Sequence, residues 1–301
     1  MFTRIMVPLD GTTFSEHALT HALAIAKRVG SAISLVMVET PPPLTFPMAQ
    51  LKQPLRELDL GYLDQVADRA RETGVSDISV EVVEGDAPYA LEAYRKRIAA
   101  TLTVMSTHGR GPLARAWLGS VADRFVRMTE APTLMIRPRE TVDVVDLTVA
   151  VDFDHLLVTL DGSPLSESAI EPALELGKPW GAKTTVAHLT EYPRHTESIY
   201  LPDAVEAIEH ALEESRTKAE AELNAVVGSL AAAGYDTDRF SRVVNHVAEG
   251  VIECAAEVDA DAIVMASHGR GGVRRLALGS VTDKVLRGTD RPVLIIPGPP
   301  D

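Results

Sequence analysis

The chain has 301 residues, 46% of them hydrophobic, enough for two domains of ordinary size that each bury a core. Its formal charge of −14 repels phosphate backbones, which are held by clustered Lys and Arg, so DNA and RNA are disfavoured and no nucleic-acid partner is expected. No apolar run approaches the roughly 20 residues of a membrane helix, and a single cysteine, Cys254, allows no internal disulfide; a cytoplasmic protein without a membrane partner is expected.

The opening "MFTRIMVPLDG" has one Arg and a short apolar run that meets Pro and Asp, which predicts a first strand over "RIMVPL" rather than a secretion signal. The stretch "SEHALTHALAIAKRVG" follows, with Ala18, Leu19, Ala22, Leu23, Ile25 and Ala26 on one helical face and Gly30 closing it. Further β-branched runs predict strands at "AISLVMV" from Ala32, "ISVEVV" from Ile78, "LTVMS" from Leu102 and "TLMIR" from Thr133. The junction from Arg139 to Asp154 is acidic, lacks Gly and Pro, and reads as a linker with some strand character. Beyond it, strands are predicted at "LLVTL" from Leu156, "TTVAHL" from Thr184, "RFSRVVN" from Arg239, "AIVMAS" from Ala262 and "VLIIP" from Val293. Cys254 falls in a helical stretch and reads as a small buried residue.

The second half repeats the first. "STHGRGPLARAWLGSV" from Ser106 aligns with "ASHGRGGVRRLALGSV" from Ala266, placing His108 over His268, Gly109 over Gly269, Gly119 over Gly279 and Ser120 over Ser280. "IMVPLDGTTFSEHAL" from Ile5 pairs with "LLVTLDGSPLSESAI" from Leu156, so each half is a domain and the predicted boundaries are 1–139 and 155–301. Short strands separated by helix-length segments predict α/β architecture: two repeated open parallel-sheet domains with helices on both faces. Ligands of such sheets sit outside the carboxyl ends of the strands, where strand order reverses.

At those ends stand Asp10 and Asp161 after the first strand, and the glycine loop after the fourth. Gly109 and Gly269 let the backbone approach a ligand closely, and a helix opening at Gly119-Ser120 or Gly279-Ser280 aims N–H groups at an anion. Structural readings compete with this one. Ser120 with Asp123, and Ser280 with Asp283, also fit helix capping boxes; Asp10 followed by Gly11 and Thr12 also fits a turn; His108 and His268 fit loop braces. The loop lacks the Lys of a Walker P-loop and the GxGxxG spacing, and neither half has a GxSxG elbow, paired carboxylates or a zinc-type cluster. No constellation for fast chemistry stands out.

These residues resemble the universal stress protein family in its tandem two-domain form. The spacing of Gly109 to Gly119-Ser120, repeated from Gly269 to Gly279-Ser280, is similar to the loop of ATP-binding members, as are "VPLDG" and the closing "PTLMIRP" and "PVLIIP". This chain departs at the first glycine of that pattern, where it has Ser106 and Ala266. The resemblance implies a Rossmann-like fold of the adenine nucleotide alpha-hydrolase type and ATP as cofactor, with or without Mg2+. It places the triphosphate on backbone around Gly109, Gly119 and Ser120, and around Gly269, Gly279 and Ser280, with Ser106, His108, Arg110, Ala266, His268 and Arg270 also counted in the cofactor-binding set. Asp10 and Asp161 would face the nucleoside, Val38 and Leu189 would meet adenine through backbone groups, and Pro8 and its counterpart Thr159 complete the cofactor-binding set. It further implies a non-enzymatic stress-response module with protein partners still to be identified, a pseudo-dimer of last strands within one chain, and homodimers as a further option. A nucleotide-free scaffold and a slow ATPase or self-phosphorylating protein are the alternatives. The segments "ETPPPLTFPMAQ" from Glu39 and "TEYPRHTESIYLPDA" from Thr190 fit loops over a ligand mouth, a partner surface or solvated connections.

Overall fold

The computed structural model describes residues 2–40, 52–107, 118–138, 143–192, 202–267 and 278–298. The first repeat runs β1 (Arg4–Pro8), α1 (Thr13–Val29), β2 (Ala32–Glu39), α2 (Lys52–Glu72), β3 (Ile78–Glu84), α3 (Ala87–Arg97), β4 (Leu102–Ser106), α4 (Ser120–Met128) and β5 (Thr133–Ile136). The second runs β6 (His155–Leu160), α5 (Pro164–Glu167), α6 (Ile170–Gly177), β7 (Lys183–Glu191), α7 (Pro202–Ala232), β8 (Thr237–Val244), α8 (Val247–Glu257), β9 (Ala262–Ala266), α9 (Ser280–Gly288) and β10 (Val293–Ile296). All ten strands read from the sequence form, and their ends shift most at Thr190–Glu191 and Thr237–Asp238.

Local chemistry explains the boundaries. Thr12 caps α1 by accepting from the Ser15 N–H, and Gly30 ends it in the left-handed region at φ +74°, where a side chain would be strained. The predicted apolar face of α1 is the buried one: Ala18, Leu19 and Ala22 are fully enclosed. In the second repeat the corresponding stretch is broken into α5, α6 and a short turn at Lys178–Trp180.

Two compact units emerge. One comprises Met1–Asp152 with Arg274–Leu278 and Asp290–Asp301; the other comprises Phe153–Val273 and Gly279–Thr289. Within the first, the strand order is β3-β2-β1-β4-β5-β10, and within the second β9-β6-β7-β8. Pairing is parallel except that β10 lies antiparallel on β5, with Leu294 opposite Leu134. The final strand of the chain thus closes the edge of the first unit. The described part of the junction forms bends and turns rather than a strand, and Val145 and Leu147 are buried in it. Cys254 is fully buried, and its thiol is pushed up to about 12, by burial first and by Glu257 next.

Candidate functional site

Strand order reverses between β1 and β4 in the first unit and between β6 and β9 in the second. Sequence-distant residues therefore meet at adjacent carboxyl ends: Asp10 follows β1 while Ser106 ends β4, and Asp161 follows β6 while Ala266 ends β9. Pro8 ends β1 opposite Val36, and Thr159 lies in β6 opposite Ala187. Val38 and Leu189 lie in their ladders opposite Val83 and Arg242.

The two aspartates sit in near-identical turns. Asp10 Oδ1 accepts from the Thr12 N–H at 3.0 Å and its hydroxyl at 2.6 Å, while the Asp10 N–H donates to Ser15 Oγ at 3.2 Å. Asp161 Oδ1 accepts from the Ser163 N–H at 3.0 Å and its hydroxyl at 2.6 Å, and the Asp161 N–H donates to Ser166 Oγ at 3.2 Å. The turn reading of Asp10 therefore holds, and the same bonds fix where each carboxylate stands at the strand end.

The glycine loop is closed at its base in both repeats. The Gly119 N–H donates to the Thr107 carbonyl at 2.7 Å and the Gly279 N–H to the Ser267 carbonyl at 2.7 Å, while the Thr107 N–H is held by Ile136 at 2.8 Å. Gly119 and Gly279 are the N-caps of α4 and α9, and neither helix has a side-chain cap. Ser120 and Ser280 are instead exposed residues of the first turn. The capping-box reading fails on register, because the cap positions fall to Gly119 and Gly279, which have no side chain, and the serines stand one residue inside the helix; Asp123 and Asp283 make bidentate contacts of 2.8–3.0 Å with Arg127 and Arg287. The first N–H groups of an uncapped helix lack intrahelical partners and carry the positive end of its dipole. His108, Gly109, Arg110, His268, Gly269 and Arg270 lie outside the described residues.

A cluster the sequence reading missed backs the first turn. Glu16, in the first turn of α1, is 4% exposed. Its carboxylate accepts from the Tyr62 hydroxyl at 2.9 Å and from Arg69 Nη1 at 2.9 Å, both on α2. Arg69 Nη2 also donates to the Val145 carbonyl of the junction at 2.7 Å. Burial first, then Glu16 and Asp10, raise the Tyr62 hydroxyl far above its ordinary range, so it stays a protonated donor. Tyr62 and Arg69 are seven apart on one helix, a same-face spacing that could have drawn notice. Among the described residues, no group of three or more His, Cys, Asp or Glu could hold a metal ion.

The class of protein is thereby set: two α/β repeats, each with an acid-bearing turn and a glycine-led helix at a strand-order switch point. Both repeats match the model of the universal stress protein family, over residues 1–137 and 152–297, and the chain belongs to that family. It is 33% identical over 202 residues to Universal stress protein Rv2005c of Mycobacterium tuberculosis, covering 65% of this chain and 61% of that relative's length. Over 99% of this chain and 96% of the relative it is 26% identical to Universal stress protein Rv1996 of the same organism. A universal stress protein structure from Archaeoglobus fulgidus shares the fold at 20% identity, with a TM-score of 0.75 and 99% of both chains covered. Among the described residues, no helix is long and apolar enough to cross a membrane.

Proposed function

We propose that the chain is an ATP-binding, non-enzymatic stress-response module with one site in each repeat, 1–139 and 155–301, in the cytoplasm. The observation that carries this reading is the doubled juxtaposition at the switch points: a fixed Asp turn beside the base of a glycine loop that feeds an uncapped helix N-terminus. Oriented N–H groups at α4 and α9 suit the triphosphate, and Asp10 and Asp161 suit ribose hydroxyls or a base amine as acceptors. Any Mg2+ would arrive with the nucleotide.

ATP titration of the purified chain, together with thermal unfolding in its presence, tests the reading. Ligand at 100 times its dissociation constant should add about 2.7 kcal/mol if it binds only the folded state. Neither heat of binding nor protection would leave a nucleotide-free partner-binding scaffold. Phosphorylated protein after incubation with magnesium ATP would instead support a self-modifying enzyme.

A further inference from the structure

The two repeats carry the same turn with different backing. Asp10 and Asp161 make matching bonds, and Ser15 and Ser166 are both buried. Behind Asp10, however, Glu16 lies in the first turn of a continuous 17-residue helix and is clamped by Tyr62 and Arg69. Behind Asp161, the corresponding Glu167 is exposed at the end of a four-residue helix that breaks before α6. Counting back from the paired His108 and His268, the positions of Tyr62 and Arg69 are taken by Glu222 and Ser229. Neither replaces the clamp: Ser229 donates to the Val226 carbonyl within its own helix, and Glu222 lies 3.8 Å from Lys218 on the same helix.

We infer that Glu16, Tyr62 and Arg69 are positioning residues that make the first repeat's site the tighter of two unequal nucleotide sites. The inference rests on the ATP reading above and specifies it. A ligand that draws on the Asp10 carboxylate binds best when the turn is already fixed, because ordering it on binding would subtract from affinity. Tyr62 and Arg69 supply that order through a buried carboxylate, and hydrogen bonds to charged groups are the stronger kind. The second turn has the same local bonds, but the Glu167 that follows it is exposed where Glu16 is buried and clamped, so less of its surroundings is ordered before binding.

Calorimetric titration of the full chain with ATP should show either two affinity classes or one detectable site. Asp10→Ala should remove the tight class, and Asp161→Ala should leave it. Tyr62→Phe keeps the ring and removes the donor to Glu16; it should weaken the tight class about tenfold and leave any weak class unchanged. This variant carries the test if Asp10→Ala fails to fold. Equal affinities, a tight class that follows Asp161, or a Tyr62→Phe chain that melts earlier with unaltered affinity would each overturn the inference. Absence of any binding to the unmodified chain would overturn the ATP reading itself and the inference with it.

Discussion

Glu92 and Arg95, on α3, form a buried ion pair, bidentate at 2.7–2.8 Å, to which Thr129 donates at 2.9 Å and in which Arg95 also reaches the Ala100 carbonyl. The second repeat has Ile252 and Ala255 at the equivalent positions, so one fold accommodates both solutions. Removing one partner strands a buried charge, whereas replacing both with apolar residues of similar volume removes the desolvation cost as well. Arg95→Ala should therefore destabilise the first repeat by about 3–5 kcal/mol, and Glu92→Met with Arg95→Leu should recover most of that loss. Urea unfolding midpoints of the three chains decide it. A different residue contributes pH dependence in the second repeat. His155, bonded to Thr185 Oγ1 at 2.8 Å, has its pKa lowered from 6.5, by burial first and Lys183 next. Its neutral form is the one the fold favours, so this contribution is intact above the ordinary histidine range. It is lost as pH falls below that range, where the unfolded chain takes up a proton that the folded one resists. Melting temperature should fall less between pH 7 and pH 5 in His155→Gln than in the unmodified chain.

At the scale of elements, the sequence was legible where local chemistry decides. Ten apolar β-branched runs became ten strands, and Gly30 closed α1 in the one conformation for which glycine is needed. Legibility failed where a side chain finds its partner beyond the local pattern. Ser120 with Asp123 satisfies the capping pattern on paper, yet Arg127 one turn on offers Asp123 a charged partner, and Gly119 takes the cap position. Glu16 could not be told from a solvated helix residue, because its partners come from α2 after an intervening strand. The N-caps show local chemistry at work in both repeats: Thr12 and Ser163 each accept from the N–H three residues on, at 3.4 and 3.1 Å, and each donates to its aspartate. Thr12→Ala should cost about 1 kcal/mol, while Thr12→Ser should be nearly neutral because Ser163 already performs both tasks. Comparing the two unfolding midpoints checks this; equal losses would mean that the threonine methyl packing, not the cap, matters.

For the whole molecule, the last strand belongs to the first unit, and this follows from what its edge would otherwise present. β5 is only four residues long, but Leu134, Met135 and Ile136 are all nearly inaccessible, as are Val293, Leu294, Ile295 and Ile296 of β10. The sequence showed two apolar runs in want of partners, and the family resemblance, not periodicity, joined them to each other. Its antiparallel sense is the exception in an otherwise parallel arrangement, and Arg137 lies 3.5 Å from Asp290 at the start of the returning segment. A chain ending before Asp290 would keep every residue of β1 to β5 but leave β5 as a bare apolar edge, the kind of edge that recruits a strand from another molecule. Such a chain should self-associate, with a mass by light scattering that rises with concentration relative to the full chain. Adding Met135→Lys to the shortened chain should reduce that association, since a charge on an exposed edge opposes strand pairing. If the shortened chain keeps the association state of the full one, β10 is a passive tail and the edge is protected by something other than strand pairing.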